Sequence, residues 1–304
     1  MDHRYIGALS VSVVGLGTNN FGPRIDEARA RSVVDAAIDE GINFFDTADL
    51  YGQGTSEEFI GRALQGRRDQ IILATKFGKP MKGVGSGASA KYIRTAVEAS
   101  LRRLQTDYID LYQQHAPDPE TPLDETTETL VRLIEDGKVR EVGYSNFDAT
   151  LLADAQQSML KFGKYGVSLQ NEYSLLQREP EYEVLAACEE QHVSFLPFFP
   201  LAGGMLTGKY RKGMKAPEGA RLSNGYAKDF LNEENLDRIE DLIVFAKSRG
   251  HELIDLAFSW LLSRAAVASV IAGATTPEQV KRNAAAADWQ LTTIELSEID
   301  TIAP

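Results

Sequence analysis

Gly15-Leu16-Gly17-Thr18-Asn19-Asn20 separates two architectures for this chain. A short apolar run over residues 13–16 reads as a strand, and an open doubly wound sheet would feed that strand into a G-x-G-x-x-G turn. The first two glycines are in place, but the third position is Asn20. A side chain there blocks the close helix-to-strand approach that the dinucleotide fingerprint needs. The alternative is a closed barrel, in which the first strand needs no such turn.

Outward from this stretch, short β-branched runs alternate with longer helical patterns. Strands are expected at residues 13–16, 43–46, 71–75, 108–113, 139–144, 167–170, 193–197 and 269–272. Each is a continuous apolar run rather than an alternation, as suits parallel strands covered on both faces. Helices are expected at 26–40, 56–64, 89–104, 124–136, 148–160, 180–190, 253–263 and 277–286. Ser89 and Thr276-Pro277 carry start chemistry, Asp26 lacks a capping box because Arg29 stands three residues on, and Gly41, Gly137 and Gly250 sit at helix ends. Residues 4–6 and 9–12 can pair around Gly7 as an opening hairpin. The expected fold is α/β, a (β/α)8 TIM barrel with an N-terminal β-hairpin, in one domain over residues 1–304. Residues 79–87 and 209–229 read as long loops at one end of it, the acidic helix over residues 232–241 as a solvated face, and the tail after Asn283 as short and featureless.

Composition is that of a folded globular chain, with 43% hydrophobic and 25% charged residues. The net charge of −12 disfavours a nucleic-acid or anionic-membrane partner. One cysteine, Cys188, excludes an intrachain disulfide and fits a cytoplasmic protein. Residues 5–17 are apolar but lack the basic flank and small-residue cleavage site of a signal peptide, and no apolar run is long enough to span a membrane. His3, His192 and His251 lack metal-ligand spacing, so no metal is expected.

Strand ends carry the chemistry. In a barrel, side chains at the carboxyl ends of strands converge on one mouth. Asp46 closes the second strand, Lys76 the third, His115 lies just past the fourth, and Tyr51 follows Asp46 in its loop. A phenol is a poor acid at neutral pH, and an ammonium beside it favours the phenolate. Lys76 can supply that charge, Asp46 can hold the ammonium, and His115 can donate to an oxygen gaining negative charge. This is chemistry suited to carbonyl reduction. Taken singly, each residue has a plainer reading: a packed tyrosine, a structural ion pair, a histidine capping the turn at Ala116-Pro117.

Gly15-Leu-Gly-Thr18, Asn43-Phe-Phe-Asp46-Thr-Ala-Asp-Leu-Tyr51-Gly, Ala74-Thr-Lys76-Phe, Asp110-Leu-Tyr-Gln-Gln-His115 and Gly137-Lys-Val-Arg140 through Gly143-Tyr-Ser145-Asn146-Phe, in this order, resemble the aldo-keto reductase family from about Gly15 to Asn283. The resemblance implies a barrel closed below by a hairpin, and an NADP(H)-dependent oxidoreductase that reduces aldehydes or ketones. It implies Tyr51 as general acid, Lys76 and Asp46 tuning it, and His115 orienting the small-molecule carbonyl substrate. For the cofactor it implies Thr18, Asn19 and Asp46 lining the pocket, and Ser145, Asn146 and Gln170 on the nicotinamide carboxamide. Phe198 takes the ring-stacking position, and Pro200, Leu201, Gly203, Gly204 and Lys209 surround the pyrophosphate. Gly273, Thr275, Gln279, Arg282 and Asn283 fall at the adenosine end, where a helix N-terminus favours a phosphate.

The chain departs from the family pattern at that end. Gln279 stands where many relatives carry a basic residue for the 2′-phosphate, and Arg282 where many carry glutamate; Lys281 or Arg282 is the candidate replacement, and NAD(H) use stays open. A second class of function, a nicotinamide-binding sensor or regulatory subunit with little turnover, shares the barrel. Oligomeric state is not legible.

Overall fold

The computed structural model describes residues 1–214 and 230–304; residues 215–229 of the expected long loop lie outside the described residues. Strands β1 (His3–Ile6) and β2 (Leu9–Ser12) form an antiparallel hairpin. Eight parallel strands follow: β3 (Val14–Gly17), β4 (Phe44–Asp46), β5 (Ile72–Phe77), β6 (Ile109–Gln114), β7 (Val139–Ser145), β8 (Ser168–Glu172), β9 (Ser194–Phe198) and β10 (Val270–Gly273). Their order is β10-β3-β4-β5-β6-β7-β8-β9. The sheet closes on itself just ahead of β10, where Phe195 N donates to Ala266 O (2.7 Å) and Ala268 N to Phe195 O (3.0 Å). The expected barrel and its hairpin are both present.

The helices are α1 (Glu27–Asp39), α2 (Thr55–Ala63), α3 (Ala90–Leu104), α4 (Leu123–Glu135), α5 (Ala149–Leu160), α6 (Val184–Glu190), α7 (Glu233–Ser248), α8 (Leu253–Leu262), α9 (Pro277–Ala285) and α10 (Thr293–Ile302). Asp26 caps α1 from one side only, its side chain accepting from Arg29 N. Ser89 and Thr276 cap α3 and α9. α1 starts ten residues beyond Gly17, after a turn in which Phe21 N donates to Thr18 O and Gly22 N to Ile25 O. The helix therefore never meets the strand end that a dinucleotide turn would use.

Three expectations need correction. The helix expected over 180–190 is broken: a single 3-10 turn, Glu179–Glu181, precedes α6. The acidic segment 232–241 is more than a solvated face. It opens α7, which runs to Ser248 and buries Asn235, Ile239, Leu242, Ile243 and Ala246 at helical spacing while its acidic residues lie off that stripe. The tail after Asn283 holds α10, started by a capping box in which Thr292 accepts from Glu295 N and Glu295 from Thr292 N.

Two apolar cores result. The larger packs the helices on the outside of the barrel and includes Trp260, which lies against Tyr173 at 5.1 Å. The smaller fills the barrel interior, where Phe44, Ala74, Leu111, Leu196 and Ile271 meet Ile6, Leu9 and Val11 of the hairpin. Asn43, at the entrance to β4, holds the hairpin in place through Ser10 O (2.9 Å) and Ser12 N (2.7 Å). The amino-terminal ends of the strands are thus plugged, and access is left to the carboxyl ends. Among the described residues no helix is long and apolar enough to cross a membrane, and no group of three or more His, Cys, Asp or Glu could hold a metal ion.

Candidate active site

Parallel register brings the polar strand ends to one level: Gly17 pairs with Asp46, Lys76 with Gln113, and Ser145 with Gln170. Asp46 and Lys76 are buried inside the mouth. Lys76 Nζ donates to Asp46 Oδ2 at 2.6 Å and to Thr47 O at 3.0 Å, and also hydrogen-bonds the Tyr51 side chain. Asp46 Oδ1 accepts from Gln170 Nε2 (2.9 Å) and Gln113 Nε2 (3.3 Å). The ion pair therefore has its remaining lone pair served by two amides, which a buried pair needs in order to persist.

Tyr51 opens the 3-10 turn Tyr51–Gly54 directly above this pair. Lys76 Nζ lies 5.3 Å from its ring centroid, and the His115 ring stands edge-on to it, centroids 5.9 Å apart at 85°. Burial pulls the Lys76 ammonium down, but Asp46 and Tyr51 together outweigh it and hold its pKa above the ordinary lysine value. His115 moves the other way: burial first, then the charges of Lys76 and Lys79, push its pKa down to about 2. The imidazole is therefore neutral, with one N–H to donate. Its Nδ1 is buried without a hydrogen-bond partner.

A cavity of about 990 Å³ opens from Tyr51 and His115 and extends to α9. Every residue singled out from the sequence lines it except Lys281 and Lys76, the latter buried beneath Tyr51. Thr18, Asn19, Asp46, Ser145, Asn146, Gln170 and Phe198 all line it. Ser145 Oγ donates to Gln170 O (2.8 Å), and Asn146 Nδ2 donates to His115 O (2.8 Å) and Ser145 Oγ (3.0 Å). The Phe198 ring closes β9 and is braced edge-on by Phe199 at 5.4 Å.

Next along the wall, Pro200, Leu201, Gly203 and Gly204 turn over Lys209. Gly204 takes φ +106°, and a Cβ on it would lie 3.0 Å from Lys209 Nζ, so glycine is what lets the loop and the ammonium share this space. At the far end, Gly273, Thr275, Gln279, Arg282 and Asn283 surround the N-terminus of α9. Gln279 Oε1 accepts from Thr275 N (2.8 Å) and Thr275 Oγ1 (3.1 Å). Arg282 is held by Asp255 (2.7 Å) and Glu252 (2.8 Å), and Lys281 does not line the cavity. Amide and hydroxyl groups near the reactive end, an aromatic ring, a glycine turn beside a cation and a helix N-terminus form a donor set that fits a nicotinamide dinucleotide.

Sequence reasoning missed several contributors. Gln113 stood inside a quoted motif, but its alignment with Lys76 across β5 and β6 is a matter of register. Arg24, Leu50, Lys79 and Glu252 line the cavity from loops or a helix cap. Asp49 lies one layer below, buried near Glu57 and Arg103 with its Oδ1 unpartnered. Burial, then the charge of Glu57, raises its pKa to about 7.

Comparison with known proteins agrees with this geometry. The model of the family described as "Aldo/keto reductase family" matches residues 13–304. The chain is 37% identical over its full length to "Uncharacterized oxidoreductase YrpG" of Bacillus subtilis strain 168, covering 96% of that protein. It is 36% identical to "Aldo-keto reductase YhdN" of the same organism, with 97% and 90% of the two chains covered. Among solved structures, the holo form of aldo-keto reductase AKR11C1 from Bacillus halodurans superposes with a TM-score of 0.84 at 36% identity, covering 100% of this chain and 97% of that one. The chain is an enzyme, an oxidoreductase, and belongs to the aldo-keto reductase family.

Proposed function

We propose that this enzyme reduces aldehydes or ketones to alcohols with NADP(H), Tyr51 being the proton donor. The observation that carries the reading is the buried Lys76–Asp46 ion pair, 2.6 Å long, set directly against the Tyr51 side chain at the end of an open cavity.

The cofactor, when bound, supplies the hydride. The protein's own residues do the rest. Lys76, held as an ammonium, favours the phenolate left when Tyr51 gives its proton to the carbonyl oxygen. Asp46 fixes the position of that ammonium. His115, neutral, offers an N–H toward the same oxygen as its charge develops, in a buried setting where a fixed dipole acts strongly. In the reverse direction the Tyr51 oxygen takes the alcohol proton. Asn146, Ser145 and Gln170 would hold the nicotinamide carboxamide, Phe198 would offer its ring face to the nicotinamide, and Thr18 and Asn19 would complete that part of the pocket. Pro200, Leu201, Gly203, Gly204 and Lys209 receive the pyrophosphate, and Gly273, Thr275, Gln279, Arg282 and Asn283 receive the adenosine end.

One observation favours NAD(H) as the second reading of cofactor choice. Arg282, the cation that α9 contributes to the cavity from its last turn, is already engaged by Glu252 and Asp255. The test is to mix the enzyme with NADPH or NADH and a panel of simple aldehydes and ketones, following loss of the reduced-nicotinamide absorbance. Multiple turnover with tighter NADPH binding is expected. Tight cofactor binding with negligible turnover over the whole panel would contradict the reading and favour a sensor.

A further inference from the structure

The substrate end of the cavity holds a cation, Lys79, that has no counter-charge among the described residues. Lys79 is half-buried on the wall shared by Leu50, Tyr51 and His115. Gly78, at φ +113°, turns the chain off the end of β5 and places Lys79 beside the mouth that Lys76 closes from below. Among the described residues Lys79 has neither an ion pair nor a side-chain hydrogen bond.

The neighbouring acids are committed elsewhere. Asp46 belongs to Lys76. Asp118, which packs on Gly87 across the loop from Gly78, accepts from Ala88 N, Glu120 N and Thr121 Oγ1. Of the other cations that line the cavity, Arg282 is paired with Glu252 and Asp255, whereas no such pairing holds Lys79 among the described residues. Withdrawing an ammonium half-way from water next to a second one costs free energy, and an anionic ligand recovers it through a charge-assisted hydrogen bond.

We propose that Lys79 determines substrate specificity by selecting carbonyl compounds that bear an anionic group, a carboxylate or a phosphate, seated beside it while the carbonyl faces Tyr51 and His115. This rests on the carbonyl-reductase reading of the same site. The charge of Lys79 already acts on the His115 imidazole, so an anion beside Lys79 lies within electrostatic reach of the reacting group.

The test compares kcat/KM for matched pairs, succinic semialdehyde against butanal and glyceraldehyde 3-phosphate against glyceraldehyde, in the wild type, Lys79→Met and Lys79→Arg. The wild type is expected to favour the anionic member of at least one pair by about tenfold or more. Lys79→Met should cut that ratio by about 10- to 100-fold, and Lys79→Arg should keep most of it. The two pairs distinguish carboxylate from phosphate. Turnover of neutral aldehydes with a ratio near unity, or with the same ratio in Lys79→Met, overturns the role of Lys79 and leaves carbonyl reduction standing. Should no carbonyl turn over, that reading falls, and a binding arm decides the rest: succinate and glycerol 3-phosphate are titrated calorimetrically into each protein with oxidised cofactor present. Binding lost in Lys79→Met and kept in Lys79→Arg supports the anion site; absent or unchanged binding overturns it.

Discussion

Asp49 illustrates what burial does to a single group in this mouth. Its backbone N–H donates to Lys76 O at 3.1 Å, tying it to the strand that carries the buried Lys76 ammonium, while its carboxyl faces the charge of Glu57. Burial, then Glu57, moves its pKa from 3.8 to about 7 against the opposing pull of Arg103. The folded protein thus holds this proton more tightly than the unfolded chain. Stability associated with Asp49 is fully present below about pH 4, falls as pH rises toward about 7, and is constant above that. Asp49→Asn should remove this loss. Urea unfolding across that range should show the variant gaining on the wild type, by a few kcal/mol at the alkaline end. An offset independent of pH would show that the carboxyl is not held protonated.

The hairpin is the element whose role is most separable from the site. Ile6 is fully buried against the interior residues of the barrel, at the end opposite the mouth. Ile6→Ala should cost about 2–5 kcal/mol in unfolding free energy by leaving a cavity under β4 and β6. Cofactor affinity should stay at the wild-type value. A loss of cofactor binding in proportion to stability would show that the two ends of the barrel are coupled.

Elements of this kind were legible where local pattern and tertiary role coincide. The eight barrel strands could be read because each is buried on both faces, and Asp46, Lys76 and His115 because they end such strands. α10 was equally readable from the capping box of Thr292 and Glu295 and from Ile294, Leu296, Ile299 and Ile302 that go with it. The extent of α7 was hidden by its acidic first half, whose apolar stripe becomes plain only from Ile239 onward. Gln113, Lys79 and Glu252 could not be found locally, since their place on the site depends on strand register, on the turn at Gly78 and on the packing of α8 against α9.

At the scale of the whole molecule, an acidic chain of net charge −12 places Arg24, Lys79, Lys209 and Arg282 on the wall of one cavity at the carboxyl ends of the barrel strands. On the reading proposed above, that opening is where a dinucleotide and an anionic carbonyl compound would be received. Four places in the chain supply the groups of the proposed mechanism: β4 gives Asp46, the turn after it Tyr51, β5 Lys76, and the residue past β6 His115. The account stands on these acting as a unit around the Tyr51 hydroxyl. Its most direct test is Tyr51→Phe, measured for cofactor affinity by fluorescence and for carbonyl reduction under saturating cofactor. Affinity near the wild-type value with turnover reduced by about 100-fold or more is expected; turnover equal to the wild type would contradict the account.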